Sequence, residues 1–160
     1  MRPAAPVPDR EWHGRPRRPL SISGIGYQGR RLADLLDELR STSVTVLVDV
    51  RLRPLSRKAG MSKTPLAAAA SARGIEYLHL VELGNPKDNR AAFADVAGEA
   101  GRGARERYAR ILQDGPGAAA VDRLAQLGAQ HVVALLCFEA DESTCHRALV
   151  LDAVRGHAGC

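Results

Sequence analysis

The sequence predicts one α/β domain: a small parallel β-sheet of about four strands with helices on both faces, a Rossmann- or flavodoxin-like three-layer sandwich. Two observations predict this class. Short apolar runs alternate with segments of helical periodicity, an order typical of βαβ units. The runs at 44–50 and 131–136 are apolar almost throughout, as in strands buried on both sides. At 160 residues, the chain is long enough to bury one substantial core.

The first half of the chain supplies three of the predicted strands. Residues 20–25 form a short strand, and residues 31–40 form a helix with leucines at 32, 35, 36 and 39 on one face. The β-branched run 44–50 is the second strand. Thr64 is expected to cap the next helix with Pro65 at its first position, and that helix ends at Gly74. Residues 75–80 form the third strand.

The second half is predicted to be mostly helical. A polar loop, 82–90, leads to a helical region at 91–112, which three glycines between 98 and 103 are expected to weaken. A helix at 118–127, a strand at 131–136 and a last helix from about 142 to 154 follow. Asp141 or Ser143 would cap that last helix and place Cys145 and His146 in its first turn. We favour the strand order 3-2-1-4, with strand one between strands two and four.

The two chain ends differ in composition from the rest. Residues 1–19 hold five of the nine prolines and several arginines without an apolar period, which predicts a disordered tail. The domain is then 20–156, followed by a flexible C-terminus at 157–160. The net charge of +5 and a pI near 9.6 favour anionic partners, although the tail carries much of the excess. Without a membrane-length apolar run or a secretory signal, we expect a cytoplasmic monomer or homodimer that binds no membrane.

Polar residues follow each predicted strand. Because the carboxyl ends of parallel strands share one edge of a sheet, these residues should meet in one crevice, centred on Gly26, Asp49 and Glu139. The four regions are Gly24 to Arg30; Asp49, Arg51 and Arg53; Glu82, Asn85, Lys87 and Asp88; and Cys137 with Glu139.

The segment 137–147 has the highest density of chemically reactive side chains in the sequence. It holds two thiols, a carboxylate, an imidazole and a guanidinium in eleven residues. A helix start lowers the pKa of a thiol, which would favour Cys145 as a nucleophile; buried cysteines are also often plain small hydrophobes. In a reducing compartment, Cys137 and Cys145 are free thiols, metal ligands or a redox pair.

Metal binding is the less favoured of these interpretations. Cys137, Cys145 and His146 could bind zinc, with Asp49, Glu139 or His79 as a fourth ligand. The spacing matches no standard zinc motif, so no cofactor is expected.

Two further motifs indicate anion binding. One motif is Gly24-x-Gly26-x-x-Gly29 with Asp49 twenty residues after Gly29, which formally matches the dinucleotide-binding fingerprint. However, a four-stranded sheet supplies only about half of the double βαβαβ sheet that usually binds a dinucleotide. The same glycines suit another anion or a tight turn in which Tyr27 fills the core. Residues 51–63 hold five cations, typical of a phosphate-binding loop or of a solvated one. Aromatic residues make up only 4% of the chain, which disfavours stacking on single-stranded nucleic acid.

With these residues in hand, the chain resembles a family of uncharacterised bacterial and archaeal proteins, domain of unknown function 488, from about Ser21 to Val154. Family members commonly carry Glu where this chain has Gln28. The resemblance implies a compact α/β domain with a shared site and no established reaction. It is carried by Ile25-Gly-Tyr-Gln-Gly-Arg30, Asp49-Val-Arg51 with Pro54 and Ser56-Arg57, Tyr77-x-His79-Leu80-x-Glu82-Leu-Gly-Asn-Pro-Lys87, Leu136-Cys-Phe-Glu139 and Cys145-His-Arg147.

The sequence therefore predicts an enzyme acting on a phosphate-bearing substrate: a nucleotide, a nucleoside or a base in nucleic acid. Two carboxylates could act on an N-glycosidic bond, or Cys145 could be the nucleophile of a transferase. The alternative is a nucleotide- or redox-sensing module without turnover. The predicted catalytic residues are Asp49, Glu139, Cys145 and His146. The predicted substrate- or phosphate-binding residues are Gly26, Tyr27, Gln28, Gly29, Arg30, Arg51, Arg53, Arg57, His79, Glu82, Asn85, Lys87, Cys137 and Arg147.

Overall fold

The computed structural model describes residues 19–158 and consists of a four-stranded parallel sheet covered by helices, as predicted. The strands are β1 (Ile22–Gly26), β2 (Val46–Asp49), β3 (Glu76–His79) and β4 (Val133–Cys137). The helices are α1 (Leu32–Ser41), α2 (Lys63–Ala72), α3 (Lys87–Phe93), α4 (Glu99–Gln113), α5 (Gly115–Gln130) and α6 (Arg147–Ala158). The expectations for residues 1–18 and 159–160 lie outside the described residues. Within 19–158, every helix is too short or too polar to span a bilayer.

The strand order is β1-β4-β2-β3, so the predicted order 3-2-1-4 is wrong. β4 lies between β1 and β2, and β1 is an edge strand. The physical reason is burial: all five residues of β4 are buried apolar residues, as an interior strand requires. β1 exposes Ser23 and carries two glycines, features of an edge. The polar edge strand β3 closes the other side.

Two separate apolar clusters hold helices against the two faces of the sheet. α1 and α2 pack on one face through Leu35, Leu39 and Leu66 against Leu47 and Leu136. The opposite face, which carries Val48, Leu135 and Cys137, packs against α4, α5 and α6. The predicted three-layer arrangement is confirmed for residues 19–158.

Several element boundaries differ from the predicted ones. The loop 82–90 contains a 3-10 turn, Val81–Leu83, and the start of α3 at Lys87. The predicted break near the glycines is confirmed, because α3 ends at Phe93 and α4 begins at Glu99. Ser62, rather than Thr64, precedes the first residue of α2. Gly74, with φ 74°, follows that helix as expected.

The last predicted helix is two elements. Asp141 accepts a hydrogen bond from the backbone N–H of Ser143 (2.9 Å) and caps a 3-10 turn, Glu142–Thr144. Cys145 then adopts an extended conformation, φ −119° and ψ 143°, and α6 begins only at Arg147. The prediction that Cys145 and His146 occupy a first helical turn is therefore wrong. They lie in the connection just before α6.

Gly26 brings the end of β1 against the loop after β4. A Cβ atom there would lie 1.9 Å from the carbonyl oxygen of Glu139, which is backbone and cannot rotate away. We expect Gly26→Ala to lower the free energy of unfolding by about 1–3 kcal/mol, measured by urea denaturation. Gly103→Ala is the matched control: it lies within α4 with open space around it, and alanine there should stabilise by about 0.5–1 kcal/mol. Equal stability of Gly26→Ala and wild type would contradict the close approach.

Candidate functional site

A cavity of about 130 Å³ opens at the carboxyl edge of the sheet. It lies between the segments that follow β2 and β4. These adjacent strands continue to helices on opposite faces, β2 to α2 and β4 to α6, so their ends diverge and leave a crevice, the usual ligand position in open α/β sheets. Its lining is formed by Tyr27, Arg51, Leu52, Arg53, Leu55, Asn85, Arg90, Phe93, Cys137, Phe138, Glu139, Thr144 and His146.

A buried ion pair forms the wall on the β2 side. Arg51 donates from Nε to Asp49 Oδ1 (2.9 Å) and from Nη2 to Asp49 Oδ2 (2.6 Å), so this carboxylate holds Arg51 in place. Arg51 Nη1 also donates to the carbonyl of Met61 (2.8 Å) and to the hydroxyl of Tyr27 (3.2 Å). The hydroxyl of Tyr77 donates to Asp49 Oδ2. Four contacts therefore orient the Arg51 guanidinium.

The Asp49 carboxylate is accordingly saturated. Its side chain is fully buried and accepts from Arg51, from the Arg51 backbone N–H (3.1 Å) and from Tyr77. Burial lowers the pKa of Arg51, but the Asp49 carboxylate outweighs it and raises that pKa above its usual value. Burial, together with Asp49, also raises the pKa of Tyr77. Asp49 is thus placed to position Arg51 and not to react with a substrate.

Two thiols and an imidazole cluster on the β4 side. The Sγ atoms of Cys137 and Cys145 each lie 3.9 Å from His146 Nδ1, and the three atoms are mutually within 4.8 Å. His146 Nε2 lies 2.9 Å from the carbonyl oxygen of Val50, which can only accept, so Nε2 carries a proton. The other ring nitrogen, Nδ1, faces the two thiols, and an edge contact with Tyr108 holds the ring in place.

The two thiols differ in acidity. A hydrogen bond from Cys137 and the proximity of His146 lower the pKa of Cys145 to about 6, against the opposing effect of burial. Hydrogen bonding with Cys145, together with burial, raises the pKa of Cys137. Cys137, and not Cys145, is among the residues that line the cavity.

Glu139 brings a carboxylate to the same cavity. Burial, the largest single effect, would raise its pKa, but its own backbone N–H, the two thiols and His146 together lower it. Its Oε2 atom is buried without a hydrogen-bond partner among the described residues. An unpartnered buried carboxylate oxygen is costly, and in a cavity wall it is an acceptor available to a ligand.

Arg53 and Arg90 flank the mouth of the cavity. Both are exposed, and neither forms an ion pair within residues 19–158. Arg90 Nε donates to the carbonyl of Asn85 (3.1 Å), which fixes the first part of its side chain. The Asn85 side chain is buried and accepts from Asn89 through Oδ1 (3.0 Å). The mouth is thus cationic, and the interior carries the titratable groups.

The sequence-predicted site divides into three groups. The cavity brings together Tyr27, Arg51, Arg53, Asn85, Cys137, Glu139 and His146. Asp49 and Cys145 contact members of that set without lining the cavity. Outside the cavity lining are Gly26, Gln28, Gly29, Arg30, Arg57, His79, Glu82, Lys87 and Arg147.

Some of these outer residues have clear structural partners. Gln28 accepts from the Ala140 backbone N–H (3.1 Å), Arg30 pairs with Glu38, and His79 donates from Nε2 to the Arg51 carbonyl (2.7 Å).

Two glycines of the motif, Gly24 and Gly26, pack closely against the protein's own chain. A Cβ on Gly24 would meet Glu142 Oε2 at 2.2 Å and Arg147 Nε at 2.9 Å. Arg147 is buried against this glycine and pairs with Glu142 (3.5 Å). Gly24 therefore makes room for an ion pair, as Gly26 does for the loop after β4, and neither leaves space for a pyrophosphate.

Sequence reasoning missed part of the cavity wall. The additional residues are Leu52, Leu55, Arg90, Phe93, Phe138 and Thr144. Arg90 and Phe93 lie on α3, where the sequence predicted the end of a loop, 82–90, and the start of a helical region, 91–112. Phe138 stands between the predicted site residues Cys137 and Glu139 in an aromatic-poor chain, and that position is the signal that the sequence offered. In the structure its side chain is 46% exposed.

Together, these features define an α/β domain with a polar cavity at the carboxyl edge of a parallel sheet. A family model described as domain of unknown function DUF488 matches residues 31–154, and the chain belongs to that family. The expected resemblance is thereby confirmed. No significant match exists among the curated proteins or among the solved structures.

Proposed function

We propose that the protein is a cytoplasmic enzyme that acts on a small phosphate-bearing substrate with a planar ring, a nucleotide in the simplest case. The observation that carries the proposal is the unpartnered carboxylate oxygen of Glu139 inside a cavity whose mouth is cationic. Glu139 is the acid–base group. Arg53 and Arg90 hold the phosphate, since guanidinium groups without acidic partners favour phosphate oxygens.

The size and walls of the cavity support a ring as the reacting part. The volume of this cavity is about 130 Å³. A protein cavity of about 150 Å³ admits one benzene molecule, whereas pockets that enclose a whole drug-sized ligand begin at about 300 Å³. Phe93 and Phe138 contribute aromatic walls. The ring would therefore enter, while the phosphate would stay at the surface beside the two arginines.

The position of the thiols argues against a cysteine nucleophile. A nucleophile must be ionised and must reach the substrate. Cys145 has the lowered pKa but is 1% exposed and does not line the cavity; Cys137 lines it but its pKa is raised. Neither thiol meets both conditions. A mechanism with two carboxylates is equally disfavoured, because Asp49 is fully buried and saturated.

The proposed phosphate site predicts that Arg53→Gln combined with Arg90→Gln weakens nucleoside monophosphate binding at least tenfold, because two charge-assisted hydrogen-bond donors are lost. Isothermal titration calorimetry at two salt concentrations measures it. The salt dependence of binding should also fall. Arg123→Gln is the control: it removes from α5 an exposed charge that forms no ion pair within residues 19–158, and it should bind like wild type. If the double variant and Arg123→Gln weaken nucleotide binding equally, the effect reflects only the net charge of the protein.

Turnover is tested by incubating the protein separately with the common nucleoside monophosphates. Liquid chromatography with mass spectrometry detects a released base or a ring whose amino group has been replaced by oxygen. Formation of a product from at least one of these nucleotides supports the proposed enzymatic activity. A nucleotide that binds but remains unchanged through prolonged incubation would instead identify a sensing module. Absence of any binding would refute the substrate class.

A further inference from the structure

We infer that Cys137, Cys145 and His146 form a zinc site whose fourth position opens toward Glu139 and the cavity. In tetrahedral zinc sites with Zn–S near 2.3 Å and Zn–N near 2.0–2.1 Å, neighbouring ligand atoms lie about 3.6–3.8 Å apart. Both Sγ to Nδ1 distances are 3.9 Å, and all three ligand atoms lie within 4.8 Å of one another. A small decrease in the distances between these three atoms gives the tetrahedral coordination geometry.

The orientation of His146 is that of a metal ligand. A ligating imidazole usually donates its other ring N–H to a carbonyl or carboxylate, which fixes the tautomer and directs the free lone pair at the metal. His146 Nε2 donates to the Val50 carbonyl at 2.9 Å, and Nδ1 faces the two sulfur atoms. Val50 follows β2 directly, so the sheet itself holds the ligand.

The protein offers three ligands, as in many catalytic zinc sites, rather than the four of a closed structural site. Asp49 and His79, the other candidates for a fourth ligand, are engaged with Arg51. Glu139 is outside the group of atoms within 4.8 Å but contributes a buried, unpartnered Oε2 to the same cavity. A zinc-bound water in the fourth position would donate to that oxygen.

The zinc site gives a role to the two thiols, which take no part in the proposed reaction. Two buried thiols that cannot act as nucleophiles become the soft ligands that zinc prefers. Glu139 accepts the proton of the bound water, leaving a zinc-bound hydroxide as the nucleophile. The inference thus rests on the proposed function and deepens it: the hydroxide oxygen bonds to a ring carbon that carries an amino group, Glu139 passes its proton to the departing nitrogen, and the carbon–nitrogen bond breaks to release ammonia.

The test uses the full chain, purified under reducing conditions without chelators. We expect about one zinc ion per chain by mass spectrometry of the metal content. After chelation and titration with cobalt, we expect the visible bands of a tetrahedral ion and the near-ultraviolet charge-transfer band of thiolate ligands. Folded, reduced protein that takes up neither metal would overturn the inference. The wild-type spectrum decides this even where a ligand variant fails to fold.

Substitutions then identify the ligands. Cys137→Ser, Cys145→Ser and His146→Ala should each lower zinc affinity more than about 100-fold, beyond the 10–100-fold typical of losing an outer partner. Cys160→Ser, which removes the remaining thiol of the chain, is the matched control and should keep wild-type affinity. Wild-type affinity in any of the three ligand variants contradicts the proposed ligand set.

The variant Glu139→Gln distinguishes a zinc site with an open fourth coordination position from a site with four protein ligands. Because Glu139 is placed beside the bound water and not on the metal, zinc affinity should fall by no more than about 100-fold, the range of an outer partner. A loss as large as that of the ligand variants would make Glu139 the fourth ligand and refute the open position. Metal uptake is measured without nucleotide, and nucleotide binding is measured on zinc-free protein. Failure of the zinc site and failure of the proposed substrate class are therefore distinguishable.

Discussion

We expect Glu139→Gln to lower kcat for the proposed nucleotide turnover by about 10²–10⁴-fold, the usual contribution of a positioned acid–base group, and to leave KM within a few-fold of wild type. The amide is nearly isosteric with the carboxylate but cannot accept and return a proton. We expect the effect on kcat because Glu139 lines the cavity proposed to hold the reacting ring, whereas Arg53 and Arg90 are proposed to hold the phosphate at its mouth. Steady-state kinetics with the nucleotide that gives product measures both constants.

A surface substitution shows whether this effect is local. Glu106→Gln removes a carboxylate from an exposed position on α4, where its nearest cation, Arg102, lies at 4.0 Å. It should keep wild-type kcat and KM. If Glu139→Gln retains full kcat with unchanged thermal stability, the reacting group lies elsewhere, and a thiol mechanism would regain support.

The elements of this fold were largely predictable because apolar periodicity is a local property. The order of strands was not, because it depends on which strand is buried on both faces. β4 is apolar at every position, while β1 carries Ser23 and two glycines. That contrast was in the sequence, but the rule that consecutive strands tend to be neighbours was given more weight.

The strand-end rule predicted which residues lie near the carboxyl edge of the sheet, where the cavity opens, but it could not give the directions of their side chains. It predicted that residues after β2 and β4 converge, and the cavity contains Arg51, Cys137 and Glu139. It could not separate Asp49, whose carboxylate is enclosed by its own partners, from Glu139, whose Oε2 is free. Nor could the spacing of Cys137 and Cys145 reveal their proximity, because a 3-10 turn and an extended Cys145 bring the two thiols together.

The wall of the cavity opposite the thiols depends on the Asp49–Arg51 pair, and breaking it should have the largest effect on stability. Asp49→Asn keeps the shape of the side chain but leaves the Arg51 guanidinium, which is 6% exposed, without its counter-charge. Loss of one partner of a buried pair costs about 3–5 kcal/mol. We expect that decrease in the free energy of unfolding, measured by urea denaturation.

The double variant Asp49→Asn with Arg51→Met tests whether the cost arises from the unpaired charge. Removing both charges eliminates the buried ion, so the double variant should be less destabilised than the sum of the two single variants. Arg73→Met is the control: it breaks the exposed pair with Asp37 and should cost less than about 1 kcal/mol. Additive effects of Asp49→Asn and Arg51→Met would show that the two side chains act independently. The carboxylate would then not be what orients Arg51 toward the cavity.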